Sequence, residues 1–185
     1  MLKKYTSFKV AAAFFLAAGI GGVFYYVTQP ADCVTISNFD PERDSVEIHT
    51  IMKENWYWLI ESGDFSVDHM LKNRAPNSKN PQYFGKLIIK VLRVKDTFAG
   101  FNAYYKKNVA TGQILFIAVK NKFRGCGYGL KLVNYAVNAL ARMGVMRIQL
   151  VTRTSNLTAQ KIYNDAGFEK IDEIPGFVYF QKSIK

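Results

Sequence analysis

The six residues Arg124-Gly125-Cys126-Gly127-Tyr128-Gly129 constrain this chain more than any others, because they follow an apolar run, residues 114–119, and open a helix-like pattern. Glycine at every second position lets a backbone approach a ligand without Cβ clashes, and the first turn of a helix leaves its N–H groups unpaired. Those amides and the positive end of the helix dipole suit a pyrophosphate. Strand, glycine turn and helix together predict a phosphate-binding loop running from Arg124 to Leu130.

Spacing excludes two common phosphate loops. A dinucleotide fingerprint requires G-x-G-x-x-G and an acidic residue about 20 positions on; here the third glycine comes one residue early, and residues 146–151 contain no acid. The Lys-Ser/Thr pair of a nucleotide P-loop is also missing, since Leu130 and Lys131 follow the last glycine. Arg124, Gly127 and Gly129 do fit R/Q-x-x-G-x-G/A. A second block, Asn156 to Phe168, reads N-x-x-A-x-x-x-Y-x-x-x-G-F through Ala159, Tyr163 and Gly167. With a strand-like segment, residues 147–152, between the two blocks, the chain resembles the GCN5-related N-acetyltransferase (GNAT) family, most specifically over residues 114–168.

The resemblance implies an α/β (α+β) fold with a mixed, mostly antiparallel sheet of about seven strands flanked by helices. It implies acetyl-coenzyme A as co-substrate, no metal, and an amine acceptor that is a small molecule, a peptide or a protein. Its pyrophosphate would sit on Arg124, Gly125, Cys126, Gly127, Tyr128, Gly129 and Leu130, and its pantetheine arm against exposed backbone of Ile117, Ala118 and Val119. Asn156 would bond that arm or cap the following helix, both being jobs that Asn favours. Tyr163 would serve the leaving thiolate.

Residues 10–27 carry no charged side chain over eighteen positions, with Lys3, Lys4 and Lys9 ahead and Asp32, Asp40 and Glu42 behind. At ~1.5 Å per residue this run spans about 27 Å, near the hydrocarbon thickness of a bilayer. Its length exceeds a signal-peptide core and no A-x-A site follows it, so an uncleaved single-pass anchor over residues 1–32 is expected, with cleavage and export as the alternative. The lysines predict N-in, C-out. That orientation opposes the acetyl-coenzyme A requirement, because the donor is cytosolic.

The remaining residues, 33–185, are 153 positions in a chain that is 49% hydrophobic, enough for one domain with a filled core. The formal charge of +11 is spread along the chain, and no nucleic-acid motif or concentrated basic stripe accompanies it. Cys33 and Cys126 are expected as free thiols, and no Cys/His cluster has zinc spacing. Periodicity predicts a strand over residues 34–39, then one helix stripe through Ile48, Ile51, Met52, Trp56, Leu59 and Ile60. A short helix over 65–72 and a loop over 76–81 follow, then strands over 87–94, 97–105 and 113–120. The pattern closes with a helix ending at Gly144, a strand over 147–153, a helix over 158–165 capped by Gly167, and strands over 168–172 and 177–182.

Acyl transfer to an amine has two proton problems. Freeing the lone pair of a lysine-like amine at pH 7 costs about 4.6 kcal/mol unless something accepts the proton. The family often uses a Glu on a strand beside the loop, yet residues 114–119 hold no acid; Glu54 and Glu61 are the candidates on the first helix. At the leaving sulfur, an ordinary Tyr is a weaker acid than a thiol by roughly 2 kcal/mol. Tyr163 would therefore hydrogen-bond the thiolate, or have its pKa lowered by the helix and by basic residues. A non-catalytic acyl-coenzyme-A-binding module is the alternative to an enzyme.

Overall fold

The computed structural model describes residues 33–60, 65–76 and 85–184. The apolar run at 10–27, the domain boundary near 32 and Glu61 lie outside these residues. Among the described residues no helix is long and apolar enough to cross a membrane.

Seven strands form one mixed sheet in the order β1-β2-β3-β4-β5-β7-β6. They are β1 (Val34–Asn38), β2 (Ile88–Val94), β3 (Thr97–Lys106), β4 (Thr111–Val119), β5 (Arg147–Arg153), β6 (Glu169–Ile174) and β7 (Phe177–Ser183). All neighbours are antiparallel except β4 and β5. A parallel pair requires a crossover. Here the crossover is the glycine turn and α4 (Tyr128–Arg142). After α5 (Leu157–Asp165), β7 inserts between β5 and β6, so β6 becomes the edge and all six of its residues are exposed.

On one face, α1 (Pro41–Glu54) and α3 (Val67–Asn73) bury Ile48, Ile51, Met52, Met70 and Leu71 against Val91, Phe101 and Phe116. On the other, α4 buries Val133, Ala136 and Leu140 against Ile114, Ile148 and Phe180. Local chemistry sets the start of α1. The Asp40 side chain accepts from the Glu42 amide at 3.0 Å, and the Asp40 amide donates to Asp44 Oδ2 at 2.9 Å. The other Asp44 oxygen takes a hydrogen bond from Arg93 of β2, a buried ion pair that pins the helix to the sheet.

The expected single stripe to Ile60 is broken. Asn55 ends α1, because its Nδ2 donates to the Ile51 carbonyl at 2.7 Å, and a separate short helix, α2 (Trp56–Leu59), follows. Trp56, expected on the buried stripe, is 38% exposed.

Candidate active site

The sheet is split where the glycine turn leaves it. Only Thr111, Gly112 and Gln113 of β4 pair with β5, opposite Arg147, Ile148 and Gln149. Beyond this point Ile117, Ala118 and Val119 keep their β3 partners, Asn102, Phe101 and Gly100, and have no partner on β5. Leu115 is an extra residue in β4, since Tyr104 faces Ile114 and Ala103 faces Phe116. Such a bulge bends its strand and sharpens the local twist, which here carries the tip of β4 away from β5. The splayed edge expected at 117–119 is therefore present, and the bulge that creates it left no mark in the apolar pattern.

The loop lies at the tip of β4. Gly125 and Gly127 both have φ of +78°, and the space a side chain would enter at either position is open. Gly127 caps α4 without a side-chain bond, and the Lys131 amide, donating to Gly127 oxygen at 3.1 Å, makes the first turn's bond. The Gly129 and Leu130 amides precede it in the first helical turn, where an α-helix offers them no intrahelical partner. Gly129 has a different job: a Cβ there would come within 3.1 Å of Ile162 Cδ1, so this glycine lets α5 pack on the start of α4. The Tyr128 ring lies beside Phe123 at 6.4 Å, and Cys126 is exposed with its Sγ 3.7 Å from the Arg124 carbonyl.

Arg124 does not extend freely into solvent. Its Nε donates to the Val119 carbonyl at 3.0 Å and its Nη2 to Asn55 Oδ1 at 2.6 Å. One of the backbone groups expected to face pantetheine, the Val119 carbonyl, is thus taken by the loop's own arginine.

The second block forms α5. Asn156 caps it, with Oδ1 accepting from the Ala159 amide at 3.2 Å. Ile117, Leu130, Ile162 and Tyr163 pack against one apolar cluster, which brings the β4 edge, the loop and the tyrosine together. The Tyr163 ring lies 5.7 Å from Phe180 and 6.3 Å from Phe168, and its hydroxyl has no hydrogen-bond partner among the described residues. Burial pushes its pKa up to about 12. The expected lowering by the helix and basic residues is overturned, because desolvation is the sole cause acting on it. Proton transfer from such a hydroxyl to a thiolate is uphill by roughly 5 kcal/mol. Tyr163 is thus suited to donate a hydrogen bond, not a proton.

Where β4 and β5 part, a cavity of about 330 Å³ opens, lined by Tyr105, Gln113, Gln149, Val151, Asp172 and Tyr179. β4 and β5 supply no acid to it. Glu54 is exposed at the end of α1, and Asp172 of β6 is the one carboxylate in the cavity lining. Asp172 escaped the sequence reading because β6 carries four charged residues of no distinctive spacing. Arg153, at the tip of β5, was also missed; it donates to the Tyr57 carbonyl within α2 and to the Ile60 carbonyl that follows it. Among the described residues no group of His, Cys, Asp and Glu is placed to hold a metal ion.

Comparison with known proteins agrees with this geometry. A model described as the acetyltransferase (GNAT) family matches residues 33–168. The solved structure of Ard1 from Thermoplasma volcanium superposes with a TM-score of 0.66 at 20% identity, covering 82% of this chain and 98% of that one. PaiA N-acetyltransferase from Thermoplasma acidophilum, solved with coenzyme A, gives 0.64 at 16% identity, covering 82% and 99%. The ribosomal-protein-S18-alanine N-acetyltransferase of Escherichia coli gives 0.62 at 18%, covering 82% and 94%. In sequence, a [ribosomal protein bS18]-alanine N-acetyltransferase of Haemophilus ducreyi is 38% identical over 55 residues, 30% of this chain. The match spans 38% of that relative's length. The structural likenesses establish the fold: a seven-stranded mixed sheet flanked by helices.

Proposed function

Because the chain belongs to the acetyltransferase (GNAT) family, matched over residues 33–168, we propose that it transfers an acetyl group from acetyl-coenzyme A to a primary amine. One observation carries this reading: the β4 edge at 117–119 is stripped of its β5 partner directly beside an open glycine turn at a helix N-terminus. The turn receives the diphosphate, the bare edge receives the amide-bearing arm, and the thioester lies toward Tyr163. Tyr163 donates a hydrogen bond as charge builds on sulfur.

The amine enters through the cavity at the split. Asp172 attracts its ammonium form and passes the released proton to water, in place of the strand acid that this chain lacks. The named activity of the Haemophilus ducreyi and Escherichia coli relatives supports a peptide α-amine as acceptor. The hydrophobic run 10–27 holds the chain in a membrane.

Acetyl-coenzyme A consumption by detergent-solubilised full-length protein, measured against spermidine, lysine and an alanine-initiated peptide, tests the proposal. Turnover with the peptide above the other two is expected, with turnover on every amine lowered in Asp172→Asn. The lack of an acid on β4 and β5 favours a second reading, an acyl-coenzyme-A-binding module without catalysis. Binding of acetyl-coenzyme A with no turnover on any amine would select it.

A further inference from the structure

Two arginines fasten one short helix across the open end of the split. From the loop, Arg124 reaches both the β4 tip, at the Val119 carbonyl, and Asn55 Oδ1. Asn55 is 8% exposed and fully engaged: Nδ2 donates to the Ile51 carbonyl, and its own carbonyl accepts the Trp58 and Leu59 amides at 2.9 and 3.1 Å. It therefore ends α1 and begins α2. From the β5 tip, Arg153 grips the other end of α2 through the Tyr57 and Ile60 carbonyls, with its guanidinium 4.1 Å from the Tyr57 ring and 4.9 Å from Phe177. Four residues cannot hold a helix by themselves. The position of α2 is set by these attachments to the two strands that part.

The geometry points to α2 as a clasp that couples the diphosphate loop to the amine side, with Asn55 and Arg153 as positioning residues. This rests on the acetyltransferase reading. Arg124 is exposed, and its bond to Asn55 is to a neutral amide oxygen. A diphosphate on the adjacent turn offers the guanidinium a charged acceptor, and charge-assisted bonds are roughly twice as strong as neutral ones. Occupancy of the loop draws Arg124 from Asn55, frees the first turn of α2, and leaves Arg153 as its pivot. Amine binding then responds to donor binding, and by linkage the reverse holds equally.

The only two tryptophans of the chain, Trp56 and Trp58, both lie on α2, so tryptophan emission reports this helix alone. Coenzyme A titrated into full-length protein should change that emission with the same Kd that calorimetry gives. Asn55→Ala should bind coenzyme A within about threefold of wild type and lose the emission change. Asn55→Asp, which offers Arg124 a charged competitor, should raise the coenzyme A Kd roughly tenfold. Arg153→Lys should raise the KM for amine roughly tenfold with kcat little changed. Bound coenzyme A with unaltered wild-type emission, or an Asn55→Ala response equal to wild type, overturns the coupling while leaving the acetyltransferase reading intact. No calorimetric binding of coenzyme A removes both.

Discussion

Gln113 and Gln149 are the last residues at which β4 and β5 face one another, and every rung beyond them is missing. The Gln149 side chain is held from the far side by Gln181 of β7, whose Oε1 accepts its Nε2 proton at 3.1 Å. β5 is thus braced along its whole length by β7, while β4 is braced by β3 and bent at Leu115. The split is built from two well-supported strands, and this is why it can serve as a rigid slot.

Gly127→Val should abolish or weaken acetyl-coenzyme A binding at least tenfold. Its φ of +78° suits glycine, and a branched residue there is strained by about 1–2 kcal/mol while filling the open approach to the α4 amides. Isothermal calorimetry with a circular-dichroism check on folding measures this. Wild-type affinity in a folded variant would remove the loop from the donor site.

Tyr163→Phe should lower kcat by about 10²–10³ while leaving the Kd for acetyl-coenzyme A and the Tm close to wild type. The ring keeps its contacts with Phe168 and Phe180, and the hydroxyl it loses has no hydrogen-bond partner among the described residues. Steady-state kinetics at saturating donor decides whether the hydroxyl acts on the reaction or only fills space.

Burial holds Tyr163 and Tyr104 each at about 12, above their ordinary value of 10.0. A raised folded pKa gives stability that is complete below pH ~10 and is lost as pH climbs through about 12. Thermal melts between pH 8 and 12 should therefore fall less steeply for Tyr163→Phe than for wild type. Activity should show no limb belonging to this hydroxyl below pH ~10, and a descending limb there that disappears in the Phe variant would contradict the neutral-donor role.

Asp44→Ala should destabilise the fold by about 3–5 kcal/mol, because it leaves Arg93 charged and buried without its partner and unpairs the Asp40 amide. Replacing both members, Asp44→Ala with Arg93→Met, should recover most of that loss. Denaturant unfolding of the three variants provides the comparison.

Full-length protein should sediment with membranes and resist alkaline wash, and deletion of residues 1–30 should release it. Protease protection then reports which side carries residues 33–185. A domain protected with the cytosol would reverse the orientation that Lys3, Lys4 and Lys9 imply and restore access to the donor.

Much of this architecture is legible along the chain, and the exceptions share a cause. β5 runs from Arg147 to Arg153 as its alternation predicts, and Gly144 and Gly167 turn the chain at the ends of α4 and α5 with φ of +75° and +78°. Such features depend on residues close in sequence. The break at Asn55 was hidden, because apolar spacing from Ile48 to Ile60 continues across it and only the side-chain bond to Ile51 reveals the interruption. The insertion of β7 beside β5, the reach of Arg153 to α2 and the arrival of Asp172 at the cavity all join residues far apart in the chain, which periodicity does not record. The Leu115 bulge sits inside an uninterrupted apolar run, where an extra residue changes register without changing composition.

The exposed edge strand β6 has its own consequence. A terminal strand offers a free row of amides and carbonyls on which a second chain can zip. Here that row is flanked by Glu169, Lys170, Asp172 and Glu173, with Lys170 and Glu173 paired to one another, so a neighbouring molecule would have to dehydrate several charges to add itself. The carboxylate that lines the cavity, Asp172, is therefore also one of the charges that oppose the addition of a second chain to this edge.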